Sequence, residues 1–221
     1  MITLVLEAST YAGSSALLQD STVLAARNVA MRGREHEALM PAVAELFAES
    51  GVLPGAVERV VCGSGPGSFT SLRIAASIAK GFALASVAIL VPVSSLALLV
   101  ASREPQKAGR YLAVVDAMRG EQYVQLFDAT ESGAVFPIGP LSIVHTSAVD
   151  AMADELTAIA IGPSRHGAEL VVPLASAAAR ITKLIDGAGP ADLAVWEPVY
   201  GRLAEAQVKW EAAHGRPLQP Q

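Results

Sequence analysis

The sequence reads CGSGPGSFTSLR at residues 62–73. A short segment with three β-branched valines, VERVV at 57–61, precedes this stretch and predicts a buried strand. The alanine- and isoleucine-rich residues 72–84 that follow predict a helix. The stretch is therefore a glycine-rich turn from strand to helix. Such a turn can direct backbone N–H groups and the hydroxyls of Ser68 and Thr70 at an anion, aided by the helix dipole.

The named phosphate-binding motifs fit this turn poorly. A P-loop requires a Gly-Lys-Ser/Thr ending, whereas Ser71 and Leu72 follow Thr70 here. The dinucleotide-binding fingerprint fails as well, because Ser68 stands where its third glycine belongs. From the residues alone, an anion-binding turn and a purely structural turn are equally favoured.

The composition predicts a large core and a partner-dependent role in any nucleic-acid chemistry. The 221 residues are 52% hydrophobic, 17% charged and 5% aromatic, with a formal net charge of −5. The length suits one large domain or two small lobes. An acidic chain with few aromatic residues is a poor direct binder of nucleic acid, since phosphate contacts need clustered Lys and Arg. A local basic patch is still compatible with this composition.

The single cysteine and the apolar segments indicate a cytoplasmic protein. Cys62 can form no internal disulfide, and its place at the end of an apolar strand favours a small buried side chain over a reactive thiol. The first residues predict a strand, because they lack the basic region and the cleavage site of a signal peptide. The apolar stretches are interrupted before they reach the ~18 residues of a membrane span.

Earlier in the chain, another polar turn follows the first predicted strand, residues 2–6; it is called the first turn below. It carries Glu7, Ser9 and Thr10, and strands at 14–19 and 22–29 come next. Two interpretations are equally favoured: a site that faces phosphate and metal, or a solvated turn in which Ser9 or Thr10 bonds its own backbone. Together the two turns supply the candidate nucleotide- or anion-binding residues Ser9, Thr10, Ser68, Thr70 and Arg73.

Two predicted helices carry more apolar surface than one sheet can cover. The helix at 36–51 has one apolar stripe and a stop at Gly51, and the helix at 71–85 is apolar nearly all round. The excess surface packs either on another helix of this chain or on a second protein. The predicted partner surface consists of Leu39, Met40, Val43, Phe47, Ile74, Ile78 and Phe82.

The pattern of elements then repeats after a polar connector. Residues 103–110 predict an exposed link that proteases cut first, and strands at 111–115 and 121–127 flank a turn with Asp116, Arg119 and Glu121. A helix at 149–156, a strand at 158–161 and a helix at 175–185 complete the unit. We expect an N-terminal lobe at 1–102, joined by a C-terminal helix at 198–215, and a second lobe at 103–197.

The chain resembles the TsaB (YeaZ) family, bacterial proteins required for threonylcarbamoyl modification of adenosine in tRNA. The resemblance rests on GPGSFTSLRI at 65–74, AKG at 79–81, EAST at 7–10 and DAMRGE at 116–121. The family usually has glycine at the position of Ser71 and aspartate at the position of Glu7. The resemblance covers somewhat more than the first half of the chain well and the rest weakly.

The resemblance implies an α/β fold of two actin-like, RNase H-like (ASKHA) lobes, each a mixed sheet with flanking helices. It also implies a non-catalytic subunit that pairs with TsaD, which transfers threonylcarbamoyl to N6 of adenosine 37 in tRNAs reading ANN codons. The ATPase TsaE joins that assembly, and tRNA is reached through the complex. Weak homodimers are expected when the chain is alone.

No intrinsic cofactor is expected, with ATP or ADP at the partner interface as an open alternative. A metal site is disfavoured, because Met40 stands four residues after His36, where the catalytic paralogue has its second histidine. The alternative function is a stand-alone ATPase or small-molecule kinase of the same fold. It requires a complete aspartate and metal pair in the first turn, where this chain has Glu7.

Overall fold

The computed structural model describes residues 1–31, 37–164, 168–201 and 213–215. The first half of the chain forms a five-stranded sheet in the order β3-β2-β1-β4-β5. β1 pairs antiparallel with β2 and parallel with β4. The elements are β1 (Ile2–Glu7), β2 (Ala12–Gln19), β3 (Thr22–Ala30), α1 (Leu39–Ser50), a 3-10 turn (Pro54–Ala56), β4 (Arg59–Gly63), α2 (Phe69–Ser86) and β5 (Ile89–Val93).

The second half forms another mixed sheet, in the order β11-β10-β6-β7-β8, with β9 also paired to β7. The elements are α3 (Ser95–Ala101), β6 (Gly109–Asp116), β7 (Glu121–Ala129), β8 (Val135–Pro137), β9 (Ser142–His145), a 3-10 turn (Thr146–Ala148), α4 (Val149–Glu155), β10 (Ile159–Gly162), β11 (Glu169–Leu170), a 3-10 helix (Ala175–Arg180) and α5 (Thr182–Ala188).

The two sheets repeat one topology. In each, the first strand pairs antiparallel with the second and parallel with the fourth: β1 with β2 and β4, and β6 with β7 and β10. The third position is one strand in the first sheet, β3, but is divided between β8 and β9 in the second. The predicted α/β class, with two mixed sheets and flanking helices, is confirmed.

A single apolar layer lies between the two sheets. Helix α3 has the sequence SLALLVA, apolar nearly all round, and all seven of its residues are buried. It packs with the 3-10 helix Ala175–Arg180 in one core cluster. That cluster takes Val5 and Val61 from the first sheet and Tyr111 and Phe127 from the second. The two halves therefore share one hydrophobic core.

The outer faces of the sheets carry α1, α2 and α4. α1 and α2 pack on the first sheet, where the rings of Phe47 and Phe82 stack with centroids 5.5 Å apart. α4 packs on the second sheet. Gly51 caps α1 with a left-handed φ of 69°, so the predicted stop of this helix is confirmed.

Three local predictions need correction. Arg103 does not lie in an exposed link: it is 8% exposed, and its guanidinium pairs with Glu169 at 3.0 Å. The rest of the connector, including Lys107 and Arg110, is exposed or half-buried. The predicted helix at 175–185 is divided at Ile181 into a 3-10 helix and α5. The strand predicted at 57–61 begins only at Arg59.

The predicted division into lobes at residue 102 stays a prediction. Most of the predicted C-terminal helix at 198–215 lies outside the described residues.

Candidate functional site

The first turn is closed by the Glu7 carboxylate. Glu7 ends β1 with 0% of its surface exposed. One carboxylate oxygen accepts a hydrogen bond from the backbone N–H of Ser9 at 2.5 Å, and the other accepts one from the hydroxyl of Ser95 at 2.7 Å. Of the second interpretation, the solvated turn is therefore wrong, because Glu7, Ser9 and Thr10 are all buried.

Ser95 connects the first turn to the glycine-rich turn. While its hydroxyl donates to Glu7, the same oxygen accepts a hydrogen bond from the N–H of Gly65 at 3.0 Å. The N–H of Ser95 in turn donates to the carbonyl of Gly65 at 3.1 Å. Glu7, Ser95 and Gly65 are hereafter called the carboxylate clamp. They join the ends of β1 and β4 to the start of α3.

Glycines allow the first turn and the glycine-rich turn to approach this closely. A Cβ at Gly63 would lie 1.9 Å from the Glu7 Oε2, and a Cβ at Gly67 would lie 2.0 Å from the Ser9 carbonyl oxygen. The backbone N–H of Ser68 donates to that same carbonyl at 2.7 Å. The glycines of residues 62–73 thus admit the first turn, as well as forming a turn of their own.

Burial determines the electrostatics of the clamp. Burial raises the pKa of Glu7 above its ordinary value, while the hydrogen bonds from Ser9 and Ser95 act in the opposite direction. Cys62 is buried as predicted, and burial, together with the nearby Glu7 charge, raises the pKa of its thiol. Cys62 is thereby kept in its unreactive thiol form.

The structure brings some of the five candidate anion-binding residues together. Ser9 contacts Ser68 through the backbone, and the Ser9 hydroxyl is buried without a hydrogen-bond partner in the described part of the chain. Thr10 Oγ1 bonds the backbone of Ala12 at 3.1 Å, as the alternative of local backbone bonding predicted. The hydroxyls of Ser68 and Ser71 lie 3.0 Å apart.

Thr70 and Arg73 lie apart from that contact, exposed on the first turns of α2. The Arg73 guanidinium lies 5.4 Å from the centroid of the Phe69 ring, and Phe69 packs against Tyr200 with centroids 4.5 Å apart. The Lys80 ammonium group, also on α2, lies 5.8 Å from the centroid of the Trp196 ring. Both cations therefore contact aromatic faces.

The second turn, between β6 and β7, is open to solvent. Asp116 is exposed, and its Oδ1 accepts a hydrogen bond from the N–H of Met118 at 2.8 Å. Met118, Arg119 and Gly120 all have positive φ, at 66°, 59° and 79°. The Tyr11 hydroxyl lies 3.9 Å from the Met118 sulfur, so the turn between β6 and β7 contacts the first turn.

Some residues of the predicted partner surface on α1 and α2 are too buried to contact a partner. Leu39 and Val43 are 0% exposed and Phe47 is 9% exposed, because they pack on the first sheet. These three residues belong to the core, and the prediction that they face a partner needs correction. Met40 is 45% exposed, while Ile74, Ile78 and Phe82 are half-buried on α2.

The described residues contain no group of three His, Cys, Asp or Glu side chains placed as metal ligands would be. His36 lies outside the described residues. No helix within 1–31, 37–164, 168–201 or 213–215 combines the length and apolarity that a membrane span requires.

Sequence reasoning missed Ser95 as part of the site. The available signal was its place immediately after β5. Parallel strands β1, β4 and β5 end at one edge of the sheet, so polar residues that follow them meet there. Tyr123 was also missed: its hydroxyl donates to the carbonyl of Tyr200 at 3.2 Å and holds the segment that carries the aromatic contact with Phe69.

The chain matches known proteins in sequence. The family model described as "TsaD: tRNA N6-adenosine threonylcarbamoyltransferase" matches residues 30–162. The tRNA threonylcarbamoyladenosine biosynthesis protein TsaB of Escherichia coli is 35% identical over 133 residues, which are 59% of this chain and 56% of that protein. TsaB of Bacillus subtilis is 32% identical over 127 residues, 58% of this chain and 55% of that protein. These matches span about half the length of each relative.

Solved structures match over more of the chain. The structure titled "YeaZ from Pseudomonas aeruginosa" has a TM-score of 0.75 and 27% identity, and the match covers 90% of this chain and 99% of that one. A second structure from the same organism, titled as a protein with similarity to peptidase YEAZ, has a TM-score of 0.76 and 27% identity, covering 91% and 99%.

Proposed function

Because this chain belongs to the TsaD family of tRNA N6-adenosine threonylcarbamoyltransferases, on its TsaB (YeaZ) branch, we propose that it is a non-catalytic subunit for threonylcarbamoyl transfer to tRNA. The transfer is to N6 of adenosine 37 in tRNAs reading ANN codons. The chain acts by forming a heterodimer with the catalytic TsaD subunit, and the ATPase TsaE joins the assembly. ATP or ADP, where it takes part, binds at the partner interface.

The proposal rests on one observation, that the Glu7 carboxylate is hydrogen-bonded within the protein through both of its oxygens. In an actin-like ATPase the acidic residue of the first turn faces nucleotide phosphate and metal. In this chain both carboxylate oxygens of Glu7 accept hydrogen bonds from within the protein, and the side chain is fully buried. A carboxylate used in this way holds the two turns together. This use favours a subunit that keeps the fold without its chemistry over a stand-alone ATPase or kinase.

The acidity of the chain supports an indirect role in RNA binding. With a formal net charge of −5, the protein repels the phosphate backbone on average. Two of its cations, Arg73 and Lys80, lie against aromatic rings. The complex therefore takes most of its contacts with tRNA from TsaD.

The exposed side of α1 and α2 is the proposed surface for TsaD, and Met40 is its most accessible apolar residue among the seven predicted. A homologous partner with facing helices would bury Met40 together with Ile74, Ile78 and Phe82 in a four-helix contact. In the absence of TsaD, the same surface supports weak pairing between two copies of this chain.

A charge on this surface tests the heterodimer. Met40→Glu should weaken binding to TsaD about thirtyfold, the cost of removing a buried anchor of about 2 kcal/mol. Circular dichroism should stay native, since the side chain is 45% exposed in the isolated chain. Titration calorimetry with purified TsaD gives the affinity.

The matched control is Leu170→Glu, the same kind of change at a residue 58% exposed on β11 of the second sheet. It should bind TsaD as tightly as the wild type does. Unchanged affinity for Met40→Glu with a native fold would place the interface elsewhere on the molecule.

A further inference from the structure

A cavity of about 720 Å³ lies away from the two turns. It is bounded by the end of β5, by β7 and β8, and by α5 with the 3-10 helix that precedes it. β5 is an edge strand of the first sheet and β8 an edge strand of the second, so the cavity opens where the two sheets adjoin. Its volume is in the range of sites that hold small organic molecules.

The wall of this cavity is mainly apolar. Val93, Ala97, Phe127, Val135 and Leu184 contribute to it. The candidate anion-binding residues of the two turns take no part in the lining. The cavity is therefore a separate place in the fold from the carboxylate clamp, and it suits the apolar body of a ligand.

Among the described residues that line the cavity, the charged ones are two cations, Arg180 and Lys183. Arg180 donates to the carbonyl oxygen of Ala101 at 2.8 Å and pairs with Glu104, which fixes its side chain. The described lining residues include no acid, but Arg180 is already neutralised by its pairing with Glu104. Lys183 is therefore the lining cation whose charge gives the cavity a local preference for an anion.

Lys183 is the cation that remains available. The acid nearest to it along α5, Asp186, is engaged by Arg59 at 2.6 Å. Lys183 itself is exposed and forms no ion pair with any residue that the structure describes. Its ammonium group can therefore contact the anionic group of a molecule whose apolar part lies in the cavity.

We propose that this cavity binds a small molecule with an apolar body and one anionic group, the apolar body against Phe127 and Val135 and the anion at Lys183. The site is independent of the proposed pairing with TsaD. It gives the chain a ligand-binding function beyond that of a subunit.

Two probes that differ mainly by one charge test this proposal. 8-Anilinonaphthalene-1-sulfonate has an apolar body and one sulfonate, and N-phenyl-1-naphthylamine has the same rings without it. Fluorescence titration of the full chain should show one saturable site for the sulfonate probe and weaker binding of the neutral probe. Added salt should weaken the binding of the sulfonate probe only, because salt screens its charge contact with Lys183.

Variants locate the site. Lys183→Gln should lower the affinity for the sulfonate probe about threefold to fivefold, as expected for the loss of one exposed charge contact. It should leave the affinity for the neutral probe unchanged. Lys107→Gln removes another exposed lysine, on the connector, and should change the binding of neither probe. Ala188→Trp fills the cavity from the end of α5 and should abolish saturable binding of both probes, whereas Ala151→Trp, at an exposed position of α4, should not.

The proposal is overturned if Ala188→Trp binds the sulfonate probe as the wild type does while its circular dichroism is native. It is overturned equally if Lys183→Gln and Lys107→Gln bind that probe with the same affinity. Loss of the native spectrum in Ala188→Trp moves the test to Ala134→Trp, on the opposite wall, with the same expected result.

Discussion

The turn at residues 7–11 and the turn at residues 116–120 occupy equivalent places in two sheets of one topology, but they are built in opposite ways. In the first, the carboxylate of Glu7 is fully buried and accepts hydrogen bonds from Ser9 and Ser95. In the second, Asp116 is exposed and accepts one hydrogen bond from Met118. The first turn is closed by the glycine-rich turn packed against it, whereas no such turn covers Asp116 among the described residues.

This difference teaches that position in a repeated fold does not determine the role of a residue. An acid after the first strand is a ligand-facing group in the actin-like ATPases, a buried clamp at Glu7 and a solvent-exposed turn acid at Asp116. The deciding factor is what packs over the carboxylate, since a desolvated carboxylate needs hydrogen-bond donors from the protein.

The largest expected effect comes from adding a methyl group at Gly67, which contacts the first turn, compared with the same change at Gly120 in the second. In Gly67→Ala the new Cβ would lie 2.0 Å from the Ser9 carbonyl oxygen, so the backbone must shift. We expect a loss of about 3 kcal/mol in the free energy of unfolding. Gly120→Ala, whose nearest neighbour is His145 at 3.6 Å, should lose about 1 kcal/mol for its left-handed φ alone. Urea denaturation compares the two, and equal losses would show that the first turn is not tightly packed.

Truncation of the two acids should give the next largest difference. Glu7→Ala leaves the buried N–H of Ser9 without its side-chain acceptor and breaks the clamp, at a cost of about 2 kcal/mol. Asp116→Ala removes one hydrogen bond at an exposed turn and should cost about 0.5 kcal/mol. Thermal unfolding of both variants beside the wild type measures the difference. A Glu7→Ala protein as stable as Asp116→Ala would contradict the clamp.

The pH dependence of stability separates the charge of Glu7 from its size. Burial raises the pKa of Glu7 from 4.5, so the unfolded chain releases this proton first as the pH rises. The wild type therefore loses stability relative to Glu7→Gln from about pH 4.5 upward, until the folded carboxyl also ionises. Denaturation of both proteins between pH 4 and 8 checks this, with Asp116→Asn as the exposed control. A difference between wild type and Glu7→Gln that stays constant with pH would refute the effect of burial.

The smallest expected effect is a gain at the open turn. Met118 has a φ of 66°, a conformation that costs a residue with a side chain more than it costs glycine. Met118→Gly should raise the free energy of unfolding by about 0.5 kcal/mol, after the extra flexibility of glycine in the unfolded chain is deducted. Met118→Ala keeps the strained φ and should show no gain. A gain in Met118→Ala equal to that in Met118→Gly would assign the effect to the lost side chain.

The regular elements were predictable because their signals are local. The apolar run of β1, the stop at Gly51 and the strand–turn–strand restart after the connector each need only a few neighbouring residues. The division of the helix at Ile181 was not predictable, because apolar content favours an α-helix there and packing against α3 selects a 3-10 segment.

The site was less predictable than the fold. The polar residues of both turns were identified, but the burial of Glu7 depends on Ser95, which is 88 residues away in the chain. Leu39 and Val43 have the spacing of an apolar helical face, and that spacing cannot distinguish the side against the sheet from a side against a partner. The cavity beneath α5 is formed by segments far apart in sequence, which have no shared pattern.

The most direct test of the proposed role is threonylcarbamoyl transfer in a reconstituted system. Purified TsaD and TsaE are supplied with threonylcarbamoyl-adenylate and tRNA, and modified adenosine is quantified without this chain, with the wild type, and with Glu7→Gln checked for native circular dichroism. We predict background product without the chain, and rates within twofold of each other for the two proteins. Full product without the chain, or its loss with folded Glu7→Gln, would contradict a non-catalytic subunit in which Glu7 serves only to hold the fold.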